Sequence, residues 1–202
     1  MKILVGCECS GIVRDAFIAK GHDAISCDIK PTERPGPHIQ DDIFNVIYRV
    51  YFDMMICFPE CRFLCGSGLH WNLSRPERKF QTDYAINFAK KLWRAPIEKK
   101  ALENSVGILS RKENLGKPSQ YIQPYQFGED ASKKTCLWLQ NLPILIPTIR
   151  CPGRWVNGRE RWSNQTDSGQ NKLPPSDHRS ADRARTYQGI ANAMASQWSC
   201  IK

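Results

Sequence analysis

The feature that most constrains this fold is a short apolar run at residues 54–58, which ends at Pro59 and is followed closely by Cys61. A run of this length predicts a buried strand, and a proline ends it because proline cannot donate to a sheet ladder. Ligands of open α/β sheets bind beyond the carboxyl ends of the strands, and a thiol is a strong nucleophile once its pKa is lowered. Cys61 is therefore a candidate nucleophile; a buried structural cysteine is the alternative.

The beginning of the chain predicts a strand, a tight turn and a helix. Residues 2–6 form the expected strand, the small-residue turn Cys9-Ser10-Gly11 follows, and the helical pattern ends at Gly21. Such a unit presents free backbone N–H groups at the start of the helix, although the common phosphate-loop patterns are absent from it. The turn therefore favours a nucleotide-like ligand.

Two further strands are expected to end in carboxylates. Residues 24–27 predict a second strand that Asp28 follows directly, about 20 residues after the turn, where an acid accepts hydrogen bonds from ribose hydroxyls. Residues 38–40 predict a short third strand, which Asp42 follows. Asp28 could instead be a solvated loop residue, and Asp42 could bind an adenine amino group or cap the next segment.

A fifth strand is predicted at residues 100–104, and it ends in Glu103 and Asn104. A charged residue that finishes an apolar strand is costly unless it has a partner or a task. Because neighbouring parallel strands end at the same edge of a sheet, Glu103 joins Cys61 as a candidate; a cap or surface residue is the alternative.

The remaining elements are read from periodicity and turn signals. Residues 30–38 predict a loop, and residues 61–71 a mobile loop over the site. Ser74 and Glu77 have capping-box spacing and open a helix, and residues 131–140 and the C-terminal residues predict two more helices. The expected apolar faces are Phe80, Tyr84, Phe88 and Leu92 for the first of these helices and Ile190, Met194 and Trp198 for the last.

Composition points to one intracellular domain. The 202 residues favour a single domain over 1–202, and the net charge of +9 favours a polyanionic partner, nucleic acid first and a membrane surface second. The nine cysteines are odd in number, and Glu8 interrupts the only N-terminal apolar run, so we expect reduced thiols and a cytoplasmic location. Cys57, Cys61 and Cys65 lack the usual zinc spacing, so no metal site is expected.

Residues 150–185 are basic and bear aromatic side chains. They hold eight Arg or Lys against four Asp or Glu, with Trp155 and Trp162 among them. Proteins that bind nucleic acid neutralise its phosphate backbone with Arg and Lys and stack its bases on aromatic side chains. The stretch is therefore a candidate nucleic-acid contact region; a solvated loop is the alternative. The proposed contact residues are Arg154, Trp155, Arg159 and Arg161.

In order along the chain, these motifs resemble those of cytosine carbon-5 DNA methyltransferases, in particular the short phage-type proteins. The resemblance covers nearly all 202 residues. It is most specific at Phe58-Pro59-Glu60-Cys61 and at Glu103-Asn104-Ser105-Val106. It extends to Ile122-Gln123-Pro124-Tyr125-Gln126-Phe127-Gly128, to Lys134-Thr135-Cys136-Leu137-Trp138-Leu139 and to Gln188-Gly189-Ile190-Ala191-Asn192-Ala193.

The resemblance implies a doubly wound, mostly parallel, Rossmann-like α/β fold, S-adenosylmethionine as cofactor and a DNA cytosine turned out of its duplex. Cys61 would add to carbon 6 of the cytosine, and Glu103 would lie at N3. Pro59 and Asn104 would flank the substrate. The residues implied around the cofactor are Cys9, Ser10, Gly11, Asp28, Asp42 and Asn192.

The chain departs from the family pattern at several points, which keeps two other functions open. Glu60 stands where the family has a second proline, and a carboxylate beside the thiol should raise its pKa. No residue is assigned to the pyrimidine O2, and only the basic stretch replaces the family's large target-recognition region. The alternatives are a pyrimidine methyltransferase acting on nucleotides or RNA, and a DNA-binding homologue without catalysis.

Overall fold

The structure is a computed structural model that describes residues 1–176 and 179–200. The strands are β1 (Lys2–Gly6), β2 (Asp23–Asp28), β3 (His38–Gln40), β4 (Met54–Cys57), β5 (Lys99–Ser105), β6 (Gln120–Ile122), β7 (Thr135–Gln140), β8 (Arg154–Val156) and β9 (Arg159–Arg161). The α-helices are α1 (Ile12–Ile18), α2 (Ile43–Ile47), α3 (Pro76–Trp93), α4 (Arg179–Ala184) and α5 (Gln188–Trp198). Short 3-10 helices cover Gly66–Leu73, Ile108–Ser110 and Pro124–Phe127.

Seven strands form one mostly parallel sheet in the order β3-β2-β1-β4-β5-β7-β6. The first five strands of that order run parallel, and β7 is antiparallel to both β5 and β6. The predicted fold class, a doubly wound Rossmann-like α/β sheet, is confirmed. Strand order reverses between β1 and β4, and this switch point opens a crevice at the carboxyl ends of the strands.

Both faces of the central strands are buried, which explains why β1 and β4 are continuous apolar runs. Ile3 and Ile56 face a core that includes residues of α1 and α5. Leu4 and Met55 face the opposite core, with residues of α2 and α3. The C-terminal helix is as predicted, since its expected apolar face, which includes Trp198, is buried.

The helix predicted at residues 131–140 is wrong. Thr135–Gln140 is strand β7, inserted between β5 and β6. Cys136, Leu137 and Trp138 are all buried, because helices or loops cover both faces of the strand. A continuous apolar run of this kind fits a buried strand and a buried helix equally well by periodicity.

The predicted apolar face of α3 is also wrong in part. Phe80 and Tyr84 are 73% and 66% exposed, whereas Thr82, Ile86 and Ala89 are buried. The Thr82 hydroxyl donates to the Phe63 carbonyl oxygen at 3.2 Å and thereby fixes the rotation of the helix. The spacing of the aromatic residues alone therefore predicted the buried face of α3 wrongly at Phe80 and Tyr84.

The capping box predicted at Ser74 does not form. The N-cap of α3 is Arg75, whose side chain makes no capping bond, and Pro76 occupies the first turn. The Ser74 hydroxyl donates instead to the Trp71 carbonyl oxygen at 3.4 Å. Proline at the first helical position needs no partner for an N–H group, so this helix starts without a box.

The proline-rich loop at residues 30–38 is fixed by Arg14, whose side chain is fully buried. Its guanidinium donates to the carbonyl oxygen of Pro35 at 3.0 Å and to the hydroxyls of Ser26 and Thr32 at 3.2 and 3.3 Å. None of the described helices is long and apolar enough to cross a membrane.

Candidate active site

Cys61 and Glu103 meet at the carboxyl edge of the sheet. Strands β4 and β5 run parallel with Cys57 paired to Leu102, so Glu103 is the first residue of β5 beyond that pairing, and Cys61 follows four residues after the end of β4. The charge of Glu103 acts directly on the Cys61 thiol. The topology therefore places the sequence-predicted nucleophile and carboxyl group at one site.

The register of β5 with β7 decides which side chains share this face. Ser105 lies opposite Thr135, and Glu103 lies opposite Leu137, so these residues point to the same side of the sheet. The Thr135 hydroxyl donates to the Lys133 carbonyl oxygen at 3.1 Å. The Thr135 hydroxyl lowers the pKa of the Glu103 carboxyl group, and the Ser105 hydroxyl lowers the pKa of the Cys61 thiol.

Burial favours the protonated forms of both Cys61 and Glu103. It raises the pKa of the Cys61 thiol, and the neighbouring charges of Glu103 and Cys65 raise it further, while the Ser105 hydroxyl and Lys133 oppose the shift. Burial also raises the pKa of Glu103 against the opposing effects of Lys133 and Thr135. Cys61 is thus a thiol at neutral pH, and Glu103 keeps its proton more readily than an ordinary glutamate.

Glu60, the residue that departs from the family pattern, is exposed. The strongest charges acting on the Cys61 thiol come from Glu103, Lys133 and Cys65. The carboxyl group that raises the pKa of the Cys61 thiol is therefore that of Glu103.

Lys133 is a site residue that sequence reasoning missed. It acts electrostatically on both Cys61 and Glu103, and its side chain lines the same cleft as Glu103. In the sequence it is one of two adjacent lysines, Lys133 and Lys134, and no spacing distinguishes them. Only the structure separates them, since Lys133 lines the cleft and Lys134 is exposed, and the segment that contains both was predicted as a helix.

The cleft beside Glu103 is narrow. Its lining residues are Phe58, Glu103, Ile122, Pro124, Lys133, Thr135, Thr186, Tyr187, Ile190 and Met194. Its cavity volume of about 10 Å³ has room for roughly one water molecule. A pyrimidine ring is larger than this volume, so its entry would require movement of residues that line the cleft.

Asn104 anchors the segment that carries Cys61. Its side chain is fully buried, and its Nδ2 donates to the Pro59 carbonyl oxygen at 2.7 Å. Within the described part of the chain, its Oδ1 has no hydrogen-bond partner. Pro59 is buried too, so the structure places these two predicted substrate residues in contact with each other.

The turn after β1 surrounds a buried carboxylate. Ser10 donates its hydroxyl to Glu8 Oε1, and Glu8 Oε2 is buried without a partner among the residues described. Gly11 has a φ of 75°, and a Cβ there would lie 2.5 Å from the Arg14 guanidinium, so only glycine fits. The Cys9 thiol lies 3.8 Å from Glu33 Oε1.

The other predicted cofactor residues lie in different surroundings. Asp28 ends β2 beside this turn, and its Oδ1 accepts the Lys30 N–H at 3.0 Å, which leaves its second oxygen for a ligand. Asp42 caps α2 by accepting the Phe44 N–H at 2.8 Å, in agreement with the capping alternative. Asn192 lies on the exposed side of α5 and accepts from Gln188 at 2.9 Å.

Two carboxyl groups lie at the carboxyl ends of β1 and β2. Glu8 Oε2 is buried without a hydrogen-bond partner among the described residues, and Asp28 is partly exposed at the end of β2. Burial raises the pKa of Glu8, although the Ser10 hydroxyl, backbone N–H groups and the Arg14 charge oppose the shift. In residues 1–176 and 179–200, no three His, Cys, Asp or Glu side chains are grouped to hold a metal ion.

The basic stretch contains an antiparallel hairpin, β8–β9. Arg154 is paired with Asp167 at 2.6 Å, and Arg161 donates to the Asp167 carbonyl oxygen at 3.1 Å, so both fasten the following loop. Arg159 is exposed and has no partner among the described residues, and Trp155 is 74% exposed. Trp155 and Arg159 are therefore the most available of the four predicted contact residues.

Trp162 is not available for base stacking. Its side chain is buried, stacks on Tyr125 with ring centroids 4.0 Å apart, and donates its indole N–H to the Cys151 carbonyl oxygen at 3.1 Å. The interpretation of Trp162 as part of a nucleic-acid surface is wrong. Its function is to attach the hairpin to the 3-10 helix Pro124–Phe127.

No protein-family model and no curated protein matches the chain. Among solved structures, the chain is similar to the crystal structure of a "putative DNA modification methyltransferase encoded within prophage" from E. coli. The two are 12% identical with a TM-score of 0.47, over 75% of this chain and 52% of that one. This chain thus spans about half the length of that protein, and the strand order alone establishes the fold.

Proposed function

We propose that the protein is an S-adenosylmethionine-dependent DNA methyltransferase that modifies carbon 5 of cytosine. The observation that carries this proposal is the position of a thiol, Cys61, in the segment after β4 and of a carboxyl group, Glu103, on β5 just beyond its pairing with β4, at the same edge of the sheet. Carbon 5 of cytosine is a poor nucleophile until a group adds to carbon 6. A thiol beside a proton donor is suited to that addition.

The two groups have complementary tasks. As the Cys61 sulfur loses its proton to water and bonds to carbon 6, electrons of the carbon 5–carbon 6 double bond shift through carbon 4 toward N3. Glu103 donates its proton to N3, and its raised pKa favours the protonated form that can donate. After carbon 5 has taken up a methyl group, it loses its own proton to water, the bond from carbon 6 to sulfur breaks, the N3 proton returns to Glu103 and Cys61 departs as a thiolate.

The crevice at the switch point is where the cofactor is expected to bind. Asp28 is suited to ribose hydroxyls, and the unpartnered oxygen of Glu8 to the ammonium group. S-adenosylmethionine, when bound, supplies an electrophilic methyl group. Phe58 lines the narrow cleft at the end of β4 and would separate the two ligands from bulk water.

A DNA cytosine can reach the cleft only after it has turned out of the double helix. Turning a base out costs a few kcal/mol, which backbone and stacking contacts can offset. Trp155 and Arg159 on the β8–β9 hairpin are exposed and suited to those contacts.

A DNA-binding protein without catalysis is the second candidate. The raised pKa of Cys61 and the cleft of about 10 Å³ favour it, because the thiol resists ionisation and the cleft is smaller than a pyrimidine ring. It predicts salt-sensitive DNA binding that persists in Cys61→Ser, with no methylated product from the wild-type protein.

Incubation with radiolabelled S-adenosylmethionine and a panel of duplex DNA, single-stranded DNA, RNA and dCMP separates these functions. The proposal predicts label in DNA cytosine that is absent with Cys61→Ser. Label confined to RNA or dCMP would support the pyrimidine alternative. DNA binding without any label would support the inactive one.

A further inference from the structure

Cys65 is a second thiol, one turn of the chain after Cys61. The N–H groups of Leu64 and Cys65 both donate to the Cys61 carbonyl oxygen at 3.0 Å, so residues 61–65 form a single helical turn. Such a turn separates the Cα atoms of its first and fifth residues by about 6 Å, within the range of about 4.4 to 6.8 Å that disulfides span. The backbone therefore holds the two cysteines at a distance that a disulfide can bridge.

The Cys65 side chain points back along this turn. Its thiol donates to the Arg62 carbonyl oxygen at 3.9 Å, and Arg62 is the residue next to Cys61. The Ser67 hydroxyl lies 3.5 Å from the same sulfur. Both thiols are partly exposed, so a small solute can reach them.

The turn is fixed against the segment that follows β5. The Gly66 N–H donates to the Val106 carbonyl oxygen at 3.0 Å, and the Ile108 N–H donates to the Leu64 carbonyl oxygen at 2.9 Å. A Cβ on Gly107 would collide with the Leu64 carbonyl oxygen, so the two segments lie in close contact. These contacts keep the turn in place and preserve the spacing of its two thiols.

Cys57 has the same four-residue interval from Cys61 but a different environment. It is fully buried at the end of β4, between the central strands and the core. A small solute cannot reach it without opening that core. Cys65 is therefore the partner that the structure offers to Cys61.

We propose that Cys61 and Cys65 form a reversible disulfide when the protein meets a hydroperoxide, and that this bond blocks the nucleophile. The loss of activity rests on the function proposed above, whereas formation of the bond does not. Without a neighbouring thiol, an oxidised cysteine proceeds to sulfinic and sulfonic acids, so the disulfide would also protect Cys61 from irreversible damage.

The reaction has two steps. The Cys65 sulfur attacks the peroxide and breaks its O–O bond, which leaves a sulfenic acid on Cys65 and releases an alcohol, or water in the case of hydrogen peroxide. The Cys61 sulfur then attacks the Cys65 sulfur, and the S–S bond forms as the hydroxyl group leaves with the Cys61 proton as water. Cys65 is assigned the first step because burial and Glu103 raise the pKa of Cys61, and the thiolate is the reactive form.

The sequence makes this bond easy to detect. Trypsin cleaves after Arg62, so Cys61 and Cys65 fall in separate peptides, 50–62 and 63–78. A disulfide between them joins two peptides that are otherwise released separately.

The test treats the reduced full chain with an equimolar amount of hydrogen peroxide and blocks the remaining thiols with N-ethylmaleimide. The tryptic digest is then analysed by mass spectrometry without reductant. Fragmentation of the linked peptides distinguishes Cys61 from Cys57, which lies in the same peptide. Methyl transfer is measured on the same samples before and after dithiothreitol.

In the wild type, we expect the two peptides to be linked through Cys61 and Cys65 and released by dithiothreitol. The link should be absent from Cys61→Ser and Cys65→Ser and present in Cys151→Ser, a control that removes another partly exposed thiol. In Cys65→Ser, Cys61 should accumulate as the sulfinic acid instead. Methyl transfer by the oxidised wild type should fall about tenfold or more, because its nucleophile is blocked, and return with dithiothreitol.

Oxidation of Cys61 to the sulfinic acid in the wild type, without a link to Cys65, would overturn the proposal. A link that persists in Cys61→Ser, and so involves Cys57, would overturn it as well. The wild-type result is decisive even if a variant fails to fold, because fragmentation assigns both linked cysteines. If the reduced wild type transfers no methyl group, the proposed function fails, while the linked peptides still decide whether the disulfide forms.

Discussion

The side-chain nitrogen of Asn104 lies 2.7 Å from the carbonyl oxygen of Pro59, and this hydrogen bond joins the end of β5 to the segment that carries Cys61. Both residues are buried. The bond helps to position the segment that carries Cys61 relative to Glu103, the neighbour of Asn104 in the chain. Backbone hydrogen bonds from Gly66 to Val106 and from Ile108 to Leu64 join the same two segments further along the chain.

Replacing Asn104 with alanine should lower the free energy of unfolding by about 2 kcal/mol. The Pro59 carbonyl oxygen would lose its donor in a buried position, and such a group carries its full desolvation cost. Urea denaturation measures the change, with Asn192→Ala on the exposed side of α5 as the matched control. A difference between the two variants below about 0.5 kcal/mol, a value typical of surface substitutions, would contradict this role.

Arg14→Met should destabilise the fold by about 3 kcal/mol or more, because several buried oxygens around residues 26–37 lose their donor together. Arg14→Lys should be intermediate, since an ammonium cannot reproduce the planar fork. The exposed Arg34→Gln serves as control in thermal or urea unfolding. Equal stability of Arg14→Met and Arg34→Gln would show that Arg14 does not fix the loop.

The fold was largely predictable from the sequence because its central strands are buried on both faces. The runs that contain Leu4 and Ile56 are short and uniformly apolar, and each ends in a small residue, a proline or an acid. Strand β7 was not predictable, because Cys136-Leu137-Trp138-Leu139 has no alternation and its antiparallel insertion depends on tertiary pairing.

Residues of the candidate site could be predicted only where a chemically reactive side chain follows a predicted strand. Cys61 and Glu103 each follow an apolar run, so their residue types stand out. Lys133 does not stand out, because its position depends on the pairing of β7 and on bonds to Gln123, which joins it from a separate loop. Nothing in the sequence distinguishes Arg159 from Arg154 and Arg161. Only the structure shows that Arg154 and Arg161 have partners, whereas the Arg159 side chain has none among the described residues.

The stability of the protein should depend on the protonation of Glu103. Burial raises its pKa above the ordinary 4.5, so the folded state binds this proton more tightly than the unfolded chain does. The resulting stabilisation is complete below about pH 4.5 and is lost as the pH rises through the folded pKa.

Glu103→Gln removes this dependence, so its stability relative to the wild type should increase between pH 4.5 and pH 7.5. Urea unfolding at the two pH values measures the change, with exposed Glu60→Gln as the control. A relative stability of Glu103→Gln that stays constant or falls over this interval would contradict the raised pKa.

Trp155→Ala and Arg159→Gln should both weaken DNA binding. Loss of one stacked base costs about 1–3 kcal/mol, and loss of one phosphate contact reduces the slope of log affinity against log salt by about one. Fluorescence anisotropy over a salt series distinguishes the two effects. Lys20→Gln, in the exposed turn between α1 and β2, is the charge-matched control, and equal effects of Lys20→Gln and Arg159→Gln would exclude the hairpin as a specific contact.

The most direct measurement of the central claim is mass spectrometry of the protein after incubation with S-adenosylmethionine and an oligonucleotide that contains 5-fluorocytosine. Fluorine at carbon 5 blocks the final proton loss, so sulfur cannot depart from carbon 6. We predict a covalent adduct that maps to Cys61 and is absent from Cys61→Ser. An adduct that persists in Cys61→Ser, or no adduct from wild-type protein that binds the oligonucleotide, would contradict the assignment of Cys61 as the nucleophile.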